Sequence, residues 1–424
     1  MIGNCSLRIF ALKTLLIAKL LRIALLLTIL LSPLYILRWS YLGIPTTFLE
    51  NLIGLTVVLW IIFRIGAADY SWPGTGIDGM VGLVLMACGA GILATPDLRG
   101  GLGILKAYFL EPILFSYAVI DGLRRDVVKY REIIWSIIYA GLWLSLLGII
   151  QVVSGTLIFS PQEAAAGRAH AVYNSGNALA LFIGPAISLL VGEILESAWL
   201  RKRRRSFVRR IFEASILGVL LLAMFLTKST GGIIAAFSVL LIQLGSISLN
   251  GILSKVDIER VLLLGLGLYL IAHLTLFASV PYIVPKVDNP WVRPGGTWEI
   301  RLCLWQGSLN LLREHFALGA GLSGFKDLYG SKYFTCDAEP LEYPHNLILN
   351  FWTETGFFGL LAFLGLIFNI FWKELRKTAK GCVRWGLLGG FLFWLVQGLA
   401  DVPYFKNDLA LIFWVMIALG EASL

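Results

Sequence analysis

The sequence predicts an all-α fold: a polytopic bundle of about twelve membrane-spanning helices. Three observations carry that expectation. First, 58% of the 424 residues are hydrophobic and only 14% charged, and the mean hydropathy of +0.81 is too high for soluble domains of ordinary composition. Second, apolar runs of spanning length recur along the whole chain. Third, the Lys and Arg residues gather in short blocks that fall on alternate connections, as the positive-inside rule requires.

The runs lie near residues 15–37, 46–64, 79–95, 102–122, 133–153, 177–199, 211–227, 231–249, 261–284, 346–371, 385–402 and 408–423. With both termini in the cytoplasm, every strong basic block is cytoplasmic: Arg8 to Arg22, Arg124 to Arg131, Arg201 to Arg210, Lys255 with Arg260, and Lys373 to Arg384. The bias is slight only after the second run, where Arg64 stands with Asp69 and Asp78. The net charge of +9 is thereby accounted for by orientation, and nucleic-acid binding is disfavoured. The first run is expected to stay in place, since its charges extend to Arg22 and no small-residue cleavage pattern precedes Pro33. Glu193 and Glu213 are expected at the cytoplasmic interface, and Lys106 and Glu111 are too far apart to pair across one helical turn.

The chain forms a single integral membrane domain, 1–424, with two long outer connections, 154–176 and 285–344. In the larger, Trp298, Leu302, Trp305, Leu309 and Leu312 recur at spacings of four and three. They form one stripe of an amphipathic helix suited to the interface, its tryptophans at headgroup depth. Cys303 and Cys336 both lie in this connection, either bridged or as two thiols.

Candidate chemistry collects in these outer segments. His345 follows Pro344 at the mouth of the tenth run, and histidine is the side chain most easily poised as a base near neutral pH. His345, Asn346, Asn350 and Glu354 recur at spacings that can share one helix face, and a carboxylate within a span calls for a cavity. Arg168, in the segment running to Asn177, and Arg301, on the amphipathic helix, stand outside the basic blocks; their guanidinium forks suit phosphate oxygens. The turn Thr227-Lys228-Ser229-Thr230-Gly231-Gly232 offers hydroxyls, a lysine and helix N-terminal amides to an anion.

Other patterns carry less. Gly319 to Gly324 matches a dinucleotide fingerprint but follows a helix rather than a strand, so its glycines are expected to make a tight turn. Asp337 and Glu339 read as a solvated loop, and no metal or other cofactor is expected; Asp401 to Asp408 reads as an ordinary connecting turn.

On three of these stretches the chain resembles the O-antigen ligase and polymerase superfamily of polytopic, GT-C-like glycosyltransferases. They are Arg168 to Asn177, Arg301 to Phe325 with its Gly-Ala-Gly turn, and His345-Asn346 continuing to Glu354, Gly356, Gly359 and Leu360. The resemblance covers roughly residues 150–410. It implies a metal-independent, inverting transfer of a glycan from undecaprenyl pyrophosphate to a lipid or glycan acceptor, on the outer face of a bacterial inner membrane. It also implies that His345 acts on the acceptor hydroxyl and Arg301 binds the pyrophosphate, with Arg168, Lys228, Ser229, Thr230, Asn177, Asn346 and Glu354 as further substrate contacts. The family often carries an arginine directly after the serine of the short turn; here Thr230 occupies that place, and Lys228 is the nearby cation. A polysaccharide polymerase and a protein O-oligosaccharyltransferase are the alternatives within the superfamily. A transporter or flippase is the alternative outside it, and the missing internal repeat weighs against that one.

Overall fold

The computed structural model describes residues 2–41, 43–199, 207–249, 297–334, 341–376 and 383–422. The ninth run at 261–284, with Arg203, Cys336, Asp337 and Glu339, lies outside the described residues. The main helices are α1 (Ile2–Leu30), α2 (Phe48–Gly66), α3 (Asp78–Ala94), α4 (Leu98–Arg124), α5 (Tyr130–Ser154), α6 (Gly176–Trp199), α7 (Phe207–Leu226), α8 (Thr230–Leu249), α9 (Thr297–Glu314), α10 (Leu347–Arg376), α11 (Val383–Gln397) and α12 (Asn407–Ala422). Among the described residues, α2, α4, α5, α6 and α10 are long and apolar enough to cross a membrane, and α3 and α8 are shorter apolar helices. The chain is thus a polytopic helical membrane protein.

Neighbouring helices pack α1 on α2, α5 on α7, α6 on α11, α8 on α11 and α10 on α3. Small residues permit the closest of these approaches: a Cβ on Gly386 of α11 would lie 3.1 Å from the Leu189 Cα of α6. The last helix, α12, runs against α4 and is buried on every side from Asn407 to Glu421, as its all-round apolar sequence demands.

One departure from an all-α fold is a hairpin, β1 (Arg38–Tyr41) with β2 (Ile44–Thr47), antiparallel and in register Arg38 to Thr47. Aromatic and β-branched side chains dominate it, and Thr47 accepts from the Glu50 N–H to cap α2.

Two local expectations are corrected. Lys106 and Glu111 do pair, at 3.1 Å, because residues Leu105–Leu110 of α4 form a π-helical turn. The wider turn brings residues five apart onto one face, and Glu50 of α2 joins the same lysine. The tenth run is not a continuous helix: α10 breaks at Gly356 (φ 73, ψ 178), a conformation essentially reserved for glycine. The turn after α9 fills the break, with the Phe357 N–H donating to the Ala317 carbonyl and the Ala320 N–H to the Thr353 carbonyl. Gly319 (φ 64) packs so tightly there that a Cβ would sit 2.3 Å from the Thr353 carbonyl oxygen. The Gly-Ala-Gly motif therefore makes the tight turn read from the sequence, and it also plugs a broken helix.

At one end of the bundle the charges expected in the cytoplasm are stitched together. Arg64 and Arg125 share Asp121, each at 2.8 Å, and Arg64 also meets Asp69 at 3.2 Å. Glu193 pairs with Arg131, Glu213 with Arg209 and Glu421 with Lys373. Burial and pairing, rather than loop exposure, account for the weak charge bias around Arg64.

Candidate active site

The opposite end of the bundle gathers the candidate residues. A cavity of about 690 Å³ is lined by Arg168, Asn177, Lys228, Ser229, Thr230 and Arg301, together with Gln397 and Asp401. Six of the nine residues that the resemblance implies for the site thus meet in one place, although they come from three separate segments.

Arg168 braces the floor. Its guanidinium donates to the Thr227 carbonyl at 2.8 Å, to Asn177 Oδ1 at 2.9 Å and to Glu163 Oε1 at 3.3 Å, so it joins the 161–177 connection to the turn before α8. His170 serves that connection rather than the chemistry: it is buried, its Nε2 accepts from the Ser160 N–H, and its Nδ1 faces the Arg168 carbonyl. Ser229 caps α8 through the Gly232 N–H. Lys228 is held in a left-handed conformation (φ 50), with its ammonium on the Ala166 carbonyl.

Arg301 enters from α9. Its guanidinium lies 5.6 Å over the Trp298 ring, and its buried Nε has no hydrogen-bond partner among the described residues. Burial and the like charge of Arg168 draw its pKa below the usual arginine value, against the pull of Asp401. A desolvated arginine with a spare donor favours an incoming anion.

The α9 stripe faces the protein rather than headgroups. Trp305 is 1% exposed and donates its indole N–H to the Pro344 carbonyl, whereas Trp298 is half exposed. Cys303 is disulfide-bonded.

Three anchors then fix His345: Trp305 on the residue before it, the Leu347 N–H on the Gly398 carbonyl, and the Asn346 amide on the Leu399 carbonyl. Asn346 Oδ1 also accepts from the Ile348 and Leu349 N–H groups, capping α10. His345 itself is left-handed (φ 49), and its Nδ1 lies 3.4 Å from Asp401 Oδ1. Burial pushes the Asp401 carboxyl up, but the His345 hydrogen bond and charge, the Val402 N–H and Arg301 outweigh it and hold the group below the ordinary carboxylate range.

Asp401 is the residue that sequence reasoning set aside. It lies 56 positions from His345 in a turn with no local signature. The other departure is Glu354, which leaves the polar face assigned to it. Asn346 is spent on capping, Asn350 is fully buried with neither side-chain polar atom partnered among the described residues, and Glu354 lines a different cavity.

Residues 184–364 match the family model described as O-Antigen ligase. Over that stretch the chain is similar to the O-antigen ligases. The matched stretch contains Lys228, Ser229, Thr230, Arg301, His345, Asn346 and Glu354, whereas Arg168, Asn177 and Asp401 complete the site from outside it. Among curated proteins, none matches the chain.

Proposed function

We propose that this protein transfers a glycan from undecaprenyl pyrophosphate to a lipid or glycan acceptor, with inversion and without a metal, on the outer face of a bacterial inner membrane. The observation that carries the proposal is the cavity in which Arg168, Lys228 and Arg301 meet Asp401, the partner of His345. Three cations line it against one carboxylate, which suits a diphosphate leaving group. With α9 and the connections before α6, α8, α10 and α12 on the outer side, both termini are cytoplasmic and every strong basic block is too.

In this reaction the acceptor oxygen bonds to the anomeric carbon, the bond from that carbon to the diphosphate oxygen breaks, and the hydroxyl proton passes to His345. Asp401 faces Nδ1, so it holds that nitrogen protonated and leaves the Nε2 lone pair for the acceptor. Arg301, Arg168 and Lys228 take up the charge that develops on the diphosphate, and the polyprenyl tail lies between helices.

Asp401→Asn removes the charge that steadies His345 and is expected to lower kcat by about 10-fold or more with little change in donor KM. Steady-state kinetics check this; unaltered kcat would remove Asp401 from the mechanism. Arg301→Lys keeps the charge but loses the planar fork and the stacking on Trp298. Transfer should fall well below that of Arg203→Lys in the cytoplasmic basic block, and equal, negligible losses in a paired assay would argue against a phosphate role.

A further inference from the structure

A second cavity, of about 910 Å³, opens at the same end of the bundle between the β1–β2 hairpin, the start of α4 and the segment leading into α10. Its walls carry Arg38, Glu50, Arg99, Lys106, Tyr343 and Glu354. Glu354 is 1% exposed; one of its carboxylate oxygens accepts from the Ser323 N–H at 2.7 Å, and the other has no partner among the described residues. Arg38 lies over the Tyr35 ring and Arg99 donates to the Gly43 carbonyl at 3.1 Å, and neither meets a carboxylate among the described residues. Glu50, by contrast, is occupied by Lys106, Thr46 and Asn407. The open groups are therefore one buried carboxylate and two arginines.

The segment from Glu342 to His345 runs from the wall of the second cavity to Asp401 of the first. Glu342 and Tyr343 line the second, while His345 turns to Asp401 in the wall of the first. An inverting displacement brings the attacking oxygen to the face of the anomeric carbon opposite the leaving diphosphate, which an acceptor held in the second cavity would meet if the diphosphate occupies the cationic one.

We infer that the second cavity is the acceptor subsite and that it takes an anionic saccharide, its hydroxyls on Glu354 and its phosphate or carboxylate on Arg38 and Arg99. The inference rests on the glycosyl-transfer reading above. Its chemistry is that of polar groups of both signs in a pocket of ligand size, with arginine forks for a planar or tetrahedral anion.

The test uses the full chain in nanodiscs, as wild type, Arg99→Gln, Arg38→Gln and Glu354→Gln. Binding of an oligosaccharide ending in a 6-phosphate, one ending in a glucuronate and the neutral parent is measured by calorimetry, alongside transfer kinetics. The expected result is tighter binding of an anionic ligand than of the neutral one, with about a tenfold or greater loss of affinity and rise in acceptor KM in the variants and no comparable rise in donor KM. Arg99→Gln is exposed and keeps the test valid if Glu354→Gln does not fold. The phosphate and glucuronate arms identify which anion is read. Equal binding of neutral and anionic ligands, or variants that bind as wild type, would overturn the subsite. If wild type binds the saccharide, the variants do not and no transfer occurs, then the transfer reading has failed and the cavity has stood.

Discussion

His345→Ala is expected to lower glycan transfer by about 10²–10⁴-fold, the range general-base catalysis supplies, and to leave insertion and thermal stability near wild type. The side chain is 32% exposed and contributes little packing. The backbone around it is held by neighbours that the substitution does not touch: Trp305 on Pro344, Asn346 on Leu399, and Leu347 on Gly398. What is lost is a group whose Nδ1 faces a carboxylate and whose Nε2 can accept a proton. Size-exclusion profiles and thermal midpoints in detergent, measured beside product formation, separate the two effects. Appreciable turnover from a well-folded His345→Ala protein would remove it as the base.

Gly356→Ala is expected to have the largest structural effect. Its backbone conformation alone costs a residue bearing a Cβ roughly 1–3 kcal/mol. The new Cβ would also meet the Ala317 carbonyl oxygen at 2.2 Å and the Leu318 Cα at 2.8 Å. Both are backbone atoms, so neither can rotate away. The turn that plugs the break would be expelled, and with it the register of the half-helix that begins at Leu347. Gly365→Ala is the control: it lies in the same helix, and its Cβ would find nothing nearer than Met80 at 3.9 Å. At that position alanine should be neutral or stabilising by about 0.5–1 kcal/mol. Thermal midpoints of the two variants in one detergent check the contrast. Comparable midpoints would mean that the break at Gly356 carries no structural weight.

The periodic features were legible in the sequence, and the aperiodic ones were not. Apolar runs, basic blocks and the stripe from Trp298 to Leu312 repeat at spacings that physics ties to a helix or a membrane, so the main helices and the existence of α9 follow from them, whereas its stripe packs on the protein and not at headgroup depth. Arg168, Lys228 and Arg301 were found because each stands apart from the basic blocks. The Lys106–Glu111 pair was missed because a π turn changes the spacing at which residues share a face. The break at Gly356 was missed because one glycine in an apolar run is ordinarily tolerated, and what fills the break comes from residues 317–320. Asp401 was missed because its significance is its distance to His345, and no local pattern encodes that. Glu354 drew notice as a carboxylate in a span, but which cavity it faces depends on the break two residues later.

The central claim is glycan transfer from a polyprenyl pyrophosphate. It is tested most directly by incubating the purified protein with undecaprenyl-pyrophosphate oligosaccharide, lipid, glycan and protein acceptors, and EDTA, and analysing products by mass spectrometry. The account predicts a glycosylated lipid or glycan acceptor with stoichiometric release of undecaprenyl pyrophosphate, the new linkage inverted at the anomeric carbon, and no loss of rate in EDTA. Intact donor with every acceptor, from protein shown to be folded and to bind the donor, would contradict it.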